Sequence, residues 1–439
     1  MKDFNVAILG CGTVGSGVAK ILLDMSSELN LKANANIKLT KIVDLFPQKS
    51  AKTYDLPIAL FCGSGNDLTR EESTKYINEV IHDKNIHLVV ETIGGTSDFL
   101  TNIIIDALKA KKHVVTANKA ILAEKGKAIF EAAKDNNVCL GYEASVCGAI
   151  PIIKAIRESF TGDQVLEISG IMNGTSNYIL SKMQDEGLDF ATALKMAQDA
   201  GYAEADPTLD ISGGDAGHKL AILIKLAYGA EVNYSDLLIN GIQKVEKEDL
   251  DFANEMGCTI KLICYARKID GKIFATVKPM MVKYDNFLSK VNGATNCVQL
   301  LNKYSGKHYF VGKGAGSLET ASSIVADIVF TAKYNEKVTN ITENTNLQLA
   351  DSDNFAFSYN ITFATEDYPG ITGLVTTAIG EQKINIDTVS HNRHNKERAV
   401  FSVATMPCTM VQVKKAIASI REKAPSALLE EPKIIPIIH

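Results

Sequence analysis

Short apolar runs alternate with stretches of helical periodicity over the first third of the chain. Strand patterns lie at Val6–Leu9 and at 38–45, 87–95, 113–119 and 138–145. Helical patterns lie between them, at Val14–Leu23, Ile77–His82, Phe99–Ala110 and Ala120–Lys134. Strands that alternate with helices predict a parallel, doubly wound α/β sheet over residues 1–145.

The pattern changes at Pro151. A helical stretch, Ile152–Phe160, leads to the strand-and-helix segment QVLEISGIMNGTSNYIL, and two further helical stretches at 191–200 and 215–230 flank a long polar loop. The alternation in KIFATVKPMMV indicates an open mixed sheet. We therefore expect an α+β catalytic, substrate-binding and dimerisation domain at 146–305. A glycine loop and amphipathic helix at 309–328 predict that 306–334 returns to the first domain.

The last hundred residues form a separate pattern. Residues 335–354 are polar and weakly patterned, which is typical of a linker. Residues 355–439 then show strand, DYPG turn, helix, strand, turn, strand, helix and strand. This order predicts a βαββαβ unit large enough to fold as an independent small domain.

Composition excludes several classes of protein. A chain of 439 residues is long enough for two or three domains, and its net charge of −5 without a Lys/Arg block disfavours nucleic-acid and anionic-membrane binding. The chain has neither an apolar run of roughly 18 residues nor a signal-peptide pattern. Its eight cysteines include no CxxC pair, so we expect neither a disulfide framework nor a zinc site, and a cytoplasmic location.

The segment NVAILGCGTVGSG (5–17) places a GxGxxG motif between a strand and a helix. Gly10 permits the tight turn, Gly12 lets the backbone approach a pyrophosphate, and Gly15 allows close packing of helix on strand. Thr13 and Val14 stand where the predicted helix begins, and the N–H groups at its N-terminus favour an anion. The motif predicts a Rossmann-type dinucleotide site.

Asp44 ends the second predicted strand, where a carboxylate accepts hydrogen bonds from the ribose 2′-hydroxyl of NAD. Lys49 and Lys52 follow it without an arginine. Either lysine could neutralise a 2′-phosphate, so the sequence leaves both NAD and NADP open.

Five segments, taken in order, resemble homoserine dehydrogenase. They are TANKAILA (116–123), GYEASVCGAIP (141–151), GIMNGTSNYIL (170–180), AEADPTLDISGGDAGHKLAIL (203–223) and GKGAG (312–316). The resemblance covers about residues 1–330 and implies reversible, nicotinamide-dependent hydride transfer between L-homoserine and L-aspartate 4-semialdehyde, in threonine, methionine and isoleucine biosynthesis. The C-terminal unit resembles an ACT domain, a small-ligand regulatory module.

The resemblance assigns the chemistry to two lysines and an aspartate. Lys219 lies four residues after Asp215, so a helix places both on one face. By resemblance, Lys219 donates the proton in reduction and accepts it in oxidation, Asp215 orients Lys219, and Lys119 contacts substrate and cofactor. An ammonium near the carbonyl oxygen is what a developing alkoxide requires.

The resemblance also implies a substrate site and a cofactor cleft. Glu204 and Asp210 would bind the substrate ammonium, while the backbone around Asn173, Gly174 and Thr175 would bind its carboxylate. The cofactor cleft would be lined by Thr92–Gly95, which includes Thr92 and Gly94, and by Gly312, Gly314 and Gly316.

Two further sites are expected from the resemblance. The Glu143 side chain and the carbonyls of Val146, Gly148 and Ile150 would bind a monovalent cation, usually sodium. The turn at Gly370 and Ile371, with Asn385, would bind an effector such as threonine, in a homodimer or homotetramer. A ligand-free dimerisation module is the alternative for this unit.

Two other functions compete with this interpretation. Cys147 could be the nucleophile of a semialdehyde dehydrogenase, although no activating histidine lies nearby in the sequence. A Rossmann domain joined to a small-ligand domain is also compatible with a nucleotide-sensing regulator.

Overall fold

The computed structural model describes residues 1–334, 347–393 and 398–438. Its first part is a parallel sheet in the order β2-β1-β3-β4-β5. The strands are β1 (Lys2–Leu9), β2 (Ala35–Val43), β3 (Leu88–Glu91), β4 (His113–Thr116) and β5 (Leu140–Gly141). The helices are α1 (Thr13–Asp24), α2 (Ser26–Ala33), α3 (Pro47–Lys52), α4 (Arg70–His82), α5 (Asp98–Lys109) and α6 (Lys119–Asn136).

Alternate residues of β1 pack on opposite faces of this sheet. Val6 and Ile8 belong to a core with α1 and α2, whereas Ala7 and Leu9 belong to a core with α4 and α5. The strand order reverses between β1 and β3, and open α/β sheets bind ligands beyond the carboxyl ends of strands at such a point. The doubly wound prediction is confirmed.

The middle of the chain contributes further helices and the mixed sheet. Its helices are α7 (Ile152–Lys154), which continues as a π-helical turn at Ala155–Ser159, α8 (Gly174–Glu186), α9 (Phe190–Asp199), α10 (Thr208–Ile211), α11 (Gly214–Tyr228) and α12 (Lys247–Glu255). Its strands are β6 (Val165–Ile171), β7 (Leu238–Ile239), β8 (Cys258–Ile269), β9 (Lys272–Lys283), β10 (Thr295–Asn302) and β11 (Gly306–Lys313). Short 3₁₀ turns lie at Ile58–Leu60, Cys62–Gly65, Glu143–Ser145, Tyr234–Asp236, Phe287–Lys290 and Ser352–Asn354.

Helix α11 lies between the two sheets. It packs against α6 of the parallel sheet on one side and against β8 of the mixed sheet on the other. Residues on α11 can therefore meet residues at the end of β4, which the linear sequence separates by about a hundred positions.

The chain returns to the first sheet later than the sequence analysis expects. Residues 306–313 form β11, an edge strand that pairs with β10 in the mixed sheet. Only the following helix, α13 (Ser317–Tyr334), packs against α1 and α2. The glycines of this segment favoured a loop, but antiparallel pairing with β10 supplies the hydrogen bonds that make it a strand.

The strand predicted at 138–145 is also shorter than expected. Pairing with β4 ends after Gly141, and a 3₁₀ turn follows at Glu143–Ser145. The backbone N–H of Glu143 donates to Asp327 Oδ2 at 2.9 Å. The Asp327 carboxylate on α13 thus accepts the Glu143 N–H, which a longer β5 would donate to a neighbouring strand.

The C-terminal elements form the predicted βαββαβ unit. They are β12 (Gln348–Leu349), β13 (Ala356–Glu366), α14 (Ile371–Glu381), β14 (Ile386–Arg393), β15 (Arg398–Thr405), β16 (Cys408–Thr409), α15 (Met410–Lys423) and β17 (Lys433–Ile438). The sheet order β17-β13-β15-β14 places the first and third strands of the unit in the centre.

This C-terminal unit is joined to the mixed sheet, contrary to the expectation of an independent domain. β17 pairs in parallel with β9, so a single sheet runs in the order β11-β10-β6-β8-β9-β17-β13-β15-β14. Residues 335–346 of the predicted linker lie outside the described residues, and Gln348–Leu349 pairs with β9. None of the helices in the described ranges is long and apolar enough to cross a bilayer.

Candidate active site

Asp215 and Lys219 lie one turn apart near the start of α11, and both are buried. Gly213 adopts a left-handed backbone (φ +83°) that ends the preceding loop and lets the helix begin at Gly214. Lys219 Nζ donates to Asp215 Oδ2 at 2.7 Å and to the carbonyl oxygen of Met172 at 2.7 Å. These two bonds fix the ammonium and leave its third N–H for another acceptor.

Lys119 approaches the same carboxylate from the parallel sheet. It is the first residue of α6, just beyond β4, and its Nζ lies 3.0 Å from Asp215 Oδ1. Although burial opposes ionisation, Lys219 and Lys119 hold the pKa of Asp215 well below its usual range. Burial likewise lowers the pKa of Lys219, but Asp215 more than reverses this and raises it. Asp215 and Lys219 are therefore both ionised at neutral pH, and the cluster carries net positive charge.

Asn173 connects this cluster to the polar loop. Its Oδ1 accepts the backbone N–H of Ser176 at 2.8 Å, which caps α8. Its Nδ2 donates to Asp215 Oδ2 at 2.8 Å and to Asp210 Oδ1 at 2.7 Å. The structure thus places Lys119, Asn173, Asp210, Asp215 and Lys219 together.

The other predicted substrate residues lie at the edge of this group. The hydroxyl of Thr175 donates to the carbonyl of Tyr202 at 2.6 Å, which holds the polar loop against α8. Gly174 begins α8, and a Cβ there would lie 2.6 Å from the Ala294 carbonyl oxygen. Glu204 is exposed and makes no ion pair with any described residue.

The glycine turn after β1 has the shape that a dinucleotide requires. Gly10 has φ +85°, and a Cβ there would lie 2.8 Å from Ile93 N. A Cβ on Gly15 would lie 2.1 Å from the Gly10 carbonyl oxygen, so this helix residue must be glycine. Gly12 faces open space, and no side chain caps the N–H groups of Thr13 and Val14. The residues present therefore fit a pyrophosphate at the start of α1.

Asp44 lies beside this turn, but its carboxylate already has protein partners. Oδ2 accepts the N–H of Cys11 at 2.6 Å, while Oδ1 accepts the N–H of Phe46 at 2.8 Å and the hydroxyl of Ser50 at 3.0 Å. Each carboxylate oxygen has two acceptor sites, so Oδ2 can still accept a ribose hydroxyl. Among the described residues, no lysine forms an ion pair with Asp44.

Glu91 is a buried acid that the sequence analysis missed. It ends β3, where Oε1 accepts the N–H groups of Ile93 at 2.8 Å and Gly94 at 3.2 Å, and Oε2 accepts the hydroxyl of Thr116 at 2.6 Å. The neighbouring Thr92 hydroxyl donates to the Gly10 carbonyl at 2.6 Å. Glu91 therefore shapes the loop over the glycine turn. The signal was available, since it is the single charged residue in the apolar run LVVE.

The segment after β11 closes over α1. The hydroxyl of Ser317 donates to the carbonyl of Thr13, and a Cβ on Gly17 would lie 2.9 Å from Ser317. A Cβ on Gly314 would overlap the amide of Asn296, and one on Gly312 would lie 3.2 Å from Ile150. Of the predicted glycines, Gly316 has the most unusual backbone, with φ +135°. These glycines allow close packing of the 312–317 segment on α1, on β10 and on Ile150.

The loop predicted to bind a cation uses its polar groups internally. Glu143 Oε1 accepts the N–H of Ile153 at 2.8 Å, and Oε2 accepts the N–H of Lys154 at 2.9 Å. The carbonyl of Gly148 accepts the hydroxyl of Ser323 at 2.8 Å. Burial and the nearby Asp327 raise the pKa of Glu143 to about 7. Each of these oxygens keeps a second acceptor site, so cation binding by Glu143, Val146, Gly148 and Ile150 stays a prediction.

A second residue pair missed from the sequence adjoins the cluster. His218 is buried, its Nε2 lies 3.2 Å from Glu124 Oε1, and its ring lies 4.1 Å from that of Tyr234, centre to centre. Burial lowers the pKa of His218, which keeps the imidazole neutral at neutral pH. A lone histidine between Gly217 and Lys219 gave no pattern that would have singled it out.

Comparison with known proteins agrees with this geometry. A family model described as homoserine dehydrogenase, NAD binding domain, matches residues 10–143, and one described as homoserine dehydrogenase matches 151–329. The homoserine dehydrogenase of Neisseria gonorrhoeae is 35% identical over 433 residues, which cover 96% of this chain and 95% of that protein.

The chain belongs to the homoserine dehydrogenase family.

Solved structures extend the similarity to the whole fold. A homoserine dehydrogenase from Thiobacillus denitrificans superposes with a TM-score of 0.90 at 32% identity and covers 100% of this chain and 99% of its own. A hyperthermophilic archaeal homoserine dehydrogenase in complex with NADPH superposes with a TM-score of 0.63 at 26% identity, over 76% of this chain and 98% of its own. The protein is thus an NAD(P)-dependent oxidoreductase, and the sensor alternative has no support.

Cys147 lies inside this homoserine dehydrogenase without the features of a nucleophile. Its side chain is fully buried, and burial raises the pKa of the thiol. Its polar neighbour is the amide of Asn296, whose Nδ2 lies 3.6 Å from Sγ. A thiol nucleophile needs a lowered pKa and access to substrate, and Cys147 has neither.

Replacing Cys147 with alanine is therefore expected to leave kcat within about threefold of wild type, far from the ~10²–10⁴-fold loss typical of a group in the chemistry. Steady-state oxidation of L-homoserine, followed by absorbance of reduced nicotinamide, measures this. Cys408→Ala, in the C-terminal unit, is the matched control. Loss of activity confined to Cys147→Ala would restore the thiol mechanism.

The predicted effector residues lie at two ends of one helix. Gly370, with φ +99°, precedes α14, and Ile371 is its first residue. Asn385 lies beyond the other end, and a helix of 11 residues spans roughly 16 Å. The structure therefore does not bring Gly370 and Asn385 together within one chain.

Proposed function

We propose that Lys219 is the proton donor and acceptor of this homoserine dehydrogenase, with Asp215 as its positioning partner and Lys119 as the second ammonium beside the reacting oxygen. The observation that carries the proposal is the bridge formed by the Asp215 carboxylate between Lys219 Nζ at 2.7 Å and Lys119 Nζ at 3.0 Å. Homoserine-dependent formation of reduced nicotinamide, lost on substitution of Lys219, tests it.

The charges of the cluster suit reduction of a carbonyl. The nicotinamide, when bound, supplies a hydride to the carbonyl carbon of L-aspartate 4-semialdehyde and takes it back in the reverse direction. Lys219 gives a proton to the carbonyl oxygen as negative charge develops there, so the group formed by Lys119, Asp215 and Lys219 loses one positive charge. Lys119, on the other oxygen of the Asp215 carboxylate, adds electrostatic stabilisation of the reacting oxygen.

The reverse reaction requires the neutral form of Lys219. The amine then accepts the hydroxyl proton of L-homoserine while the carbon loses its hydride. Because Asp215 raises the pKa of Lys219, this form is scarce at neutral pH. We therefore expect oxidation of L-homoserine to be favoured by alkaline pH and reduction of the semialdehyde by neutral pH.

Asp210 is proposed to bind the ammonium of the substrate, and the start of α8 is proposed to bind its carboxylate. Burial raises the pKa of Asp210, and a substrate ammonium would stabilise its ionised form. The N–H groups of Gly174 and Thr175 lack partners within the helix, as in any first turn, and suit a carboxylate. We propose Glu204 as a second carboxylate for the substrate ammonium.

We propose NAD as the preferred cofactor because Asp44 stands where the ribose hydroxyl would lie. A 2′-phosphate beside this carboxylate would be repelled, and both Lys49 and Lys52 are exposed. The archaeal neighbour described with NADPH shows that the family also uses the phosphorylated cofactor.

Asp44→Asn is expected to lower the ratio of kcat/KM for NAD to kcat/KM for NADP by about tenfold, or ~1.4 kcal/mol, because the repulsion of the 2′-phosphate is lost. Side-by-side kinetics with both cofactors measure the ratio. Asp3→Asn is the control, because Asp3 lies at the start of β1 and the glycine turn lies after its end. A wild-type enzyme that already prefers NADP would contradict the assignment.

We propose that the Glu143 side chain and the carbonyls of Val146, Gly148 and Ile150 bind a monovalent cation. A cytoplasmic location and a homodimeric or homotetrameric assembly are likewise proposed from the resemblance. An effector site made from Gly370 of one chain and Asn385 of another would require such an assembly, because one chain does not bring the two residues together.

We expect threonine to inhibit oxidation of L-homoserine by the full chain. Asn385→Ala should abolish the inhibition, whereas Asp387→Ala, an exposed neighbour on β14, should retain it. Titration of initial rates with threonine measures both. Truncation near residue 350 is a poor test, because it would expose buried residues of the mixed sheet. Tyr265 and Met280 of that sheet share a core with Phe357 and Phe363, which the truncation removes. Rates of the full chain that do not respond to threonine would contradict the regulatory role.

A further inference from the structure

Two neighbouring strands of the parallel sheet are joined at their carboxyl ends by one buried carboxylate. Glu91 is the last residue of β3 and Thr116 is the last residue of β4, and they are only 1% and 0% exposed. The two residues face each other in the β3–β4 register, and the Thr116 hydroxyl donates to Glu91 Oε2 at 2.6 Å. The bond therefore lies at the edge of the sheet where open α/β folds bind their ligands.

The other oxygen of Glu91 holds the loop 92–95 against the glycine turn. Oε1 accepts the N–H of Ile93 at 2.8 Å and that of Gly94 at 3.2 Å. The Thr92 hydroxyl then donates to a carbonyl of the glycine turn at 2.6 Å. This is the loop that we expect to line the cofactor cleft, so Glu91 Oε1 fixes one wall of that cleft.

Thr116 connects Glu91 to the start of α6. Its Oγ1 accepts the backbone N–H of Asn118 at 3.0 Å, and Asn118 Oδ1 caps the helix by accepting the N–H of Ile121 at 3.2 Å. Asn118 Nδ2 donates to the Gly95 carbonyl at 2.7 Å. Lys119 follows Asn118 directly as the first residue of α6. The position of Lys119 therefore depends on Thr116 and on Gly95 at the same time.

The stability of the fold does not explain an acid at this position. None of the lysines and arginines that the structure describes forms an ion pair with Glu91. Burial raises the pKa of Glu91 in spite of its hydrogen bonds. A carboxyl group with a raised pKa lowers the free energy of unfolding as the pH rises above its ordinary pKa. The alignment of the loop 92–95 with α6 is a role that only an acceptor with two oxygens performs here.

We propose that Glu91 is a positioning residue, which fixes the start of α6, and with it the ammonium of Lys119, relative to the loop 92–95. The inference rests on the role proposed above for Lys119. Oε1 should govern the affinity for the cofactor, because it holds the loop. Oε2 should govern kcat, because it acts through Thr116 on Lys119, and a displacement of about 1 Å can lower a rate about 10²-fold.

Thr116→Val tests the connection to Lys119, because it removes the hydroxyl and keeps the branched shape of the side chain. We expect kcat for oxidation of L-homoserine to fall about tenfold or more, and KM for the cofactor to stay within about twofold of wild type. Thr116→Ser restores a hydroxyl and should recover kcat to within about threefold of wild type. Thr101→Val is the matched control, because buried Thr101 donates only to the Ser97 carbonyl one turn earlier. A wild-type kcat in Thr116→Val would overturn the connection.

Glu91→Leu tests both oxygens together. It leaves the N–H groups of Ile93 and Gly94 without an acceptor, so KM for the cofactor should rise about fivefold or more in addition to the loss of kcat. Glu91→Gln offers an amide oxygen to the same two N–H groups and should hold KM within about threefold of wild type. An equal rise of KM in both variants would overturn the role of Oε1. If the leucine variant does not fold, the Thr116 variants and the double variant below still decide the proposal.

Lys119→Met separates this inference from the proposed function. The double variant Thr116→Val/Lys119→Met should be no more than about twofold slower than Lys119→Met alone, because Thr116 acts on kcat through Lys119. Two losses that multiply would show that Thr116 supports the fold instead, and would overturn the positioning role. A wild-type kcat in Lys119→Met would overturn the role of Lys119 itself. A slow Lys119→Met enzyme beside a fully active Thr116→Val enzyme would overturn the positioning role alone.

Discussion

Lys219→Met is expected to lower kcat for oxidation of L-homoserine about 10³-fold or more. The variant loses both the proton acceptor and the charge that stabilises the oxygen, effects worth ~10²–10⁴-fold and ~10²–10³-fold respectively when measured singly. Since such effects overlap within one group, we expect less than their product. Steady-state kinetics in both directions measure the loss.

Methionine is chosen because it fills the volume of the lysine stem. Asp215 keeps Lys119 as a partner in the variant, so no buried charge is stranded. Lys225→Met is the matched control, because Lys225 lies on the same helix but pairs with Glu231 at 2.7 Å, away from Asp215. The control should keep kcat within about threefold of wild type. A Lys219 variant that folds and retains a tenth of wild-type kcat would contradict the proposed mechanism.

Asp215→Asn is expected to change the pH dependence as well as the rate. Asp215 raises the pKa of Lys219, so its neutralisation lets that pKa fall. The neutral amine then becomes available at lower pH, and the alkaline rise of homoserine oxidation moves to lower pH. Reduction of the semialdehyde needs the ammonium. As the pH is raised, its rate should therefore begin to fall at a lower pH in the variant than in the wild type. We expect kcat to fall about 10–100-fold in addition, because Lys219 loses its orientation.

Profiles of kcat against pH in both directions measure these shifts. Asp206→Asn, an exposed aspartate that bonds only within its own loop to Thr208, should leave both profiles unchanged. A loss of rate without a shift of either profile would mean that Asp215 supports the fold and does not tune Lys219.

Local patterns predicted most of the elements around the site. The GxGxxG turn, the helix start at Asp215 and the four-residue spacing to Lys219 were all visible, because each depends on neighbours in the sequence. His218 was missed for the opposite reason, because its partner Glu124 lies far along the chain and the histidine stands in no repeated pattern. Glu91 was missed although it is the single charged residue of the run LVVE and accepts the nearby N–H groups of Ile93 and Gly94.

Two errors in the fold have a related cause. We expect a glycine loop and helix over 309–328 that return to the first domain with 306–334, yet residues 306–313 pair with β10 as an edge strand. The C-terminal unit was expected to stand alone because its own pattern is complete. Its last strand nevertheless joins β9, since an unpaired strand edge is stabilised by any partner of suitable register.

The sequence by itself determined the order of strands and helices, the glycine turn and the pairing of Asp215 with Lys219, because hydrophobic period and short spacing act within a few residues. Only the tertiary structure decided that Lys119 shares the Asp215 carboxylate and that Asn173 joins it to Asp210. These arrangements depend on how α11 packs between two sheets, and such contacts between distant segments leave no periodic pattern in the sequence.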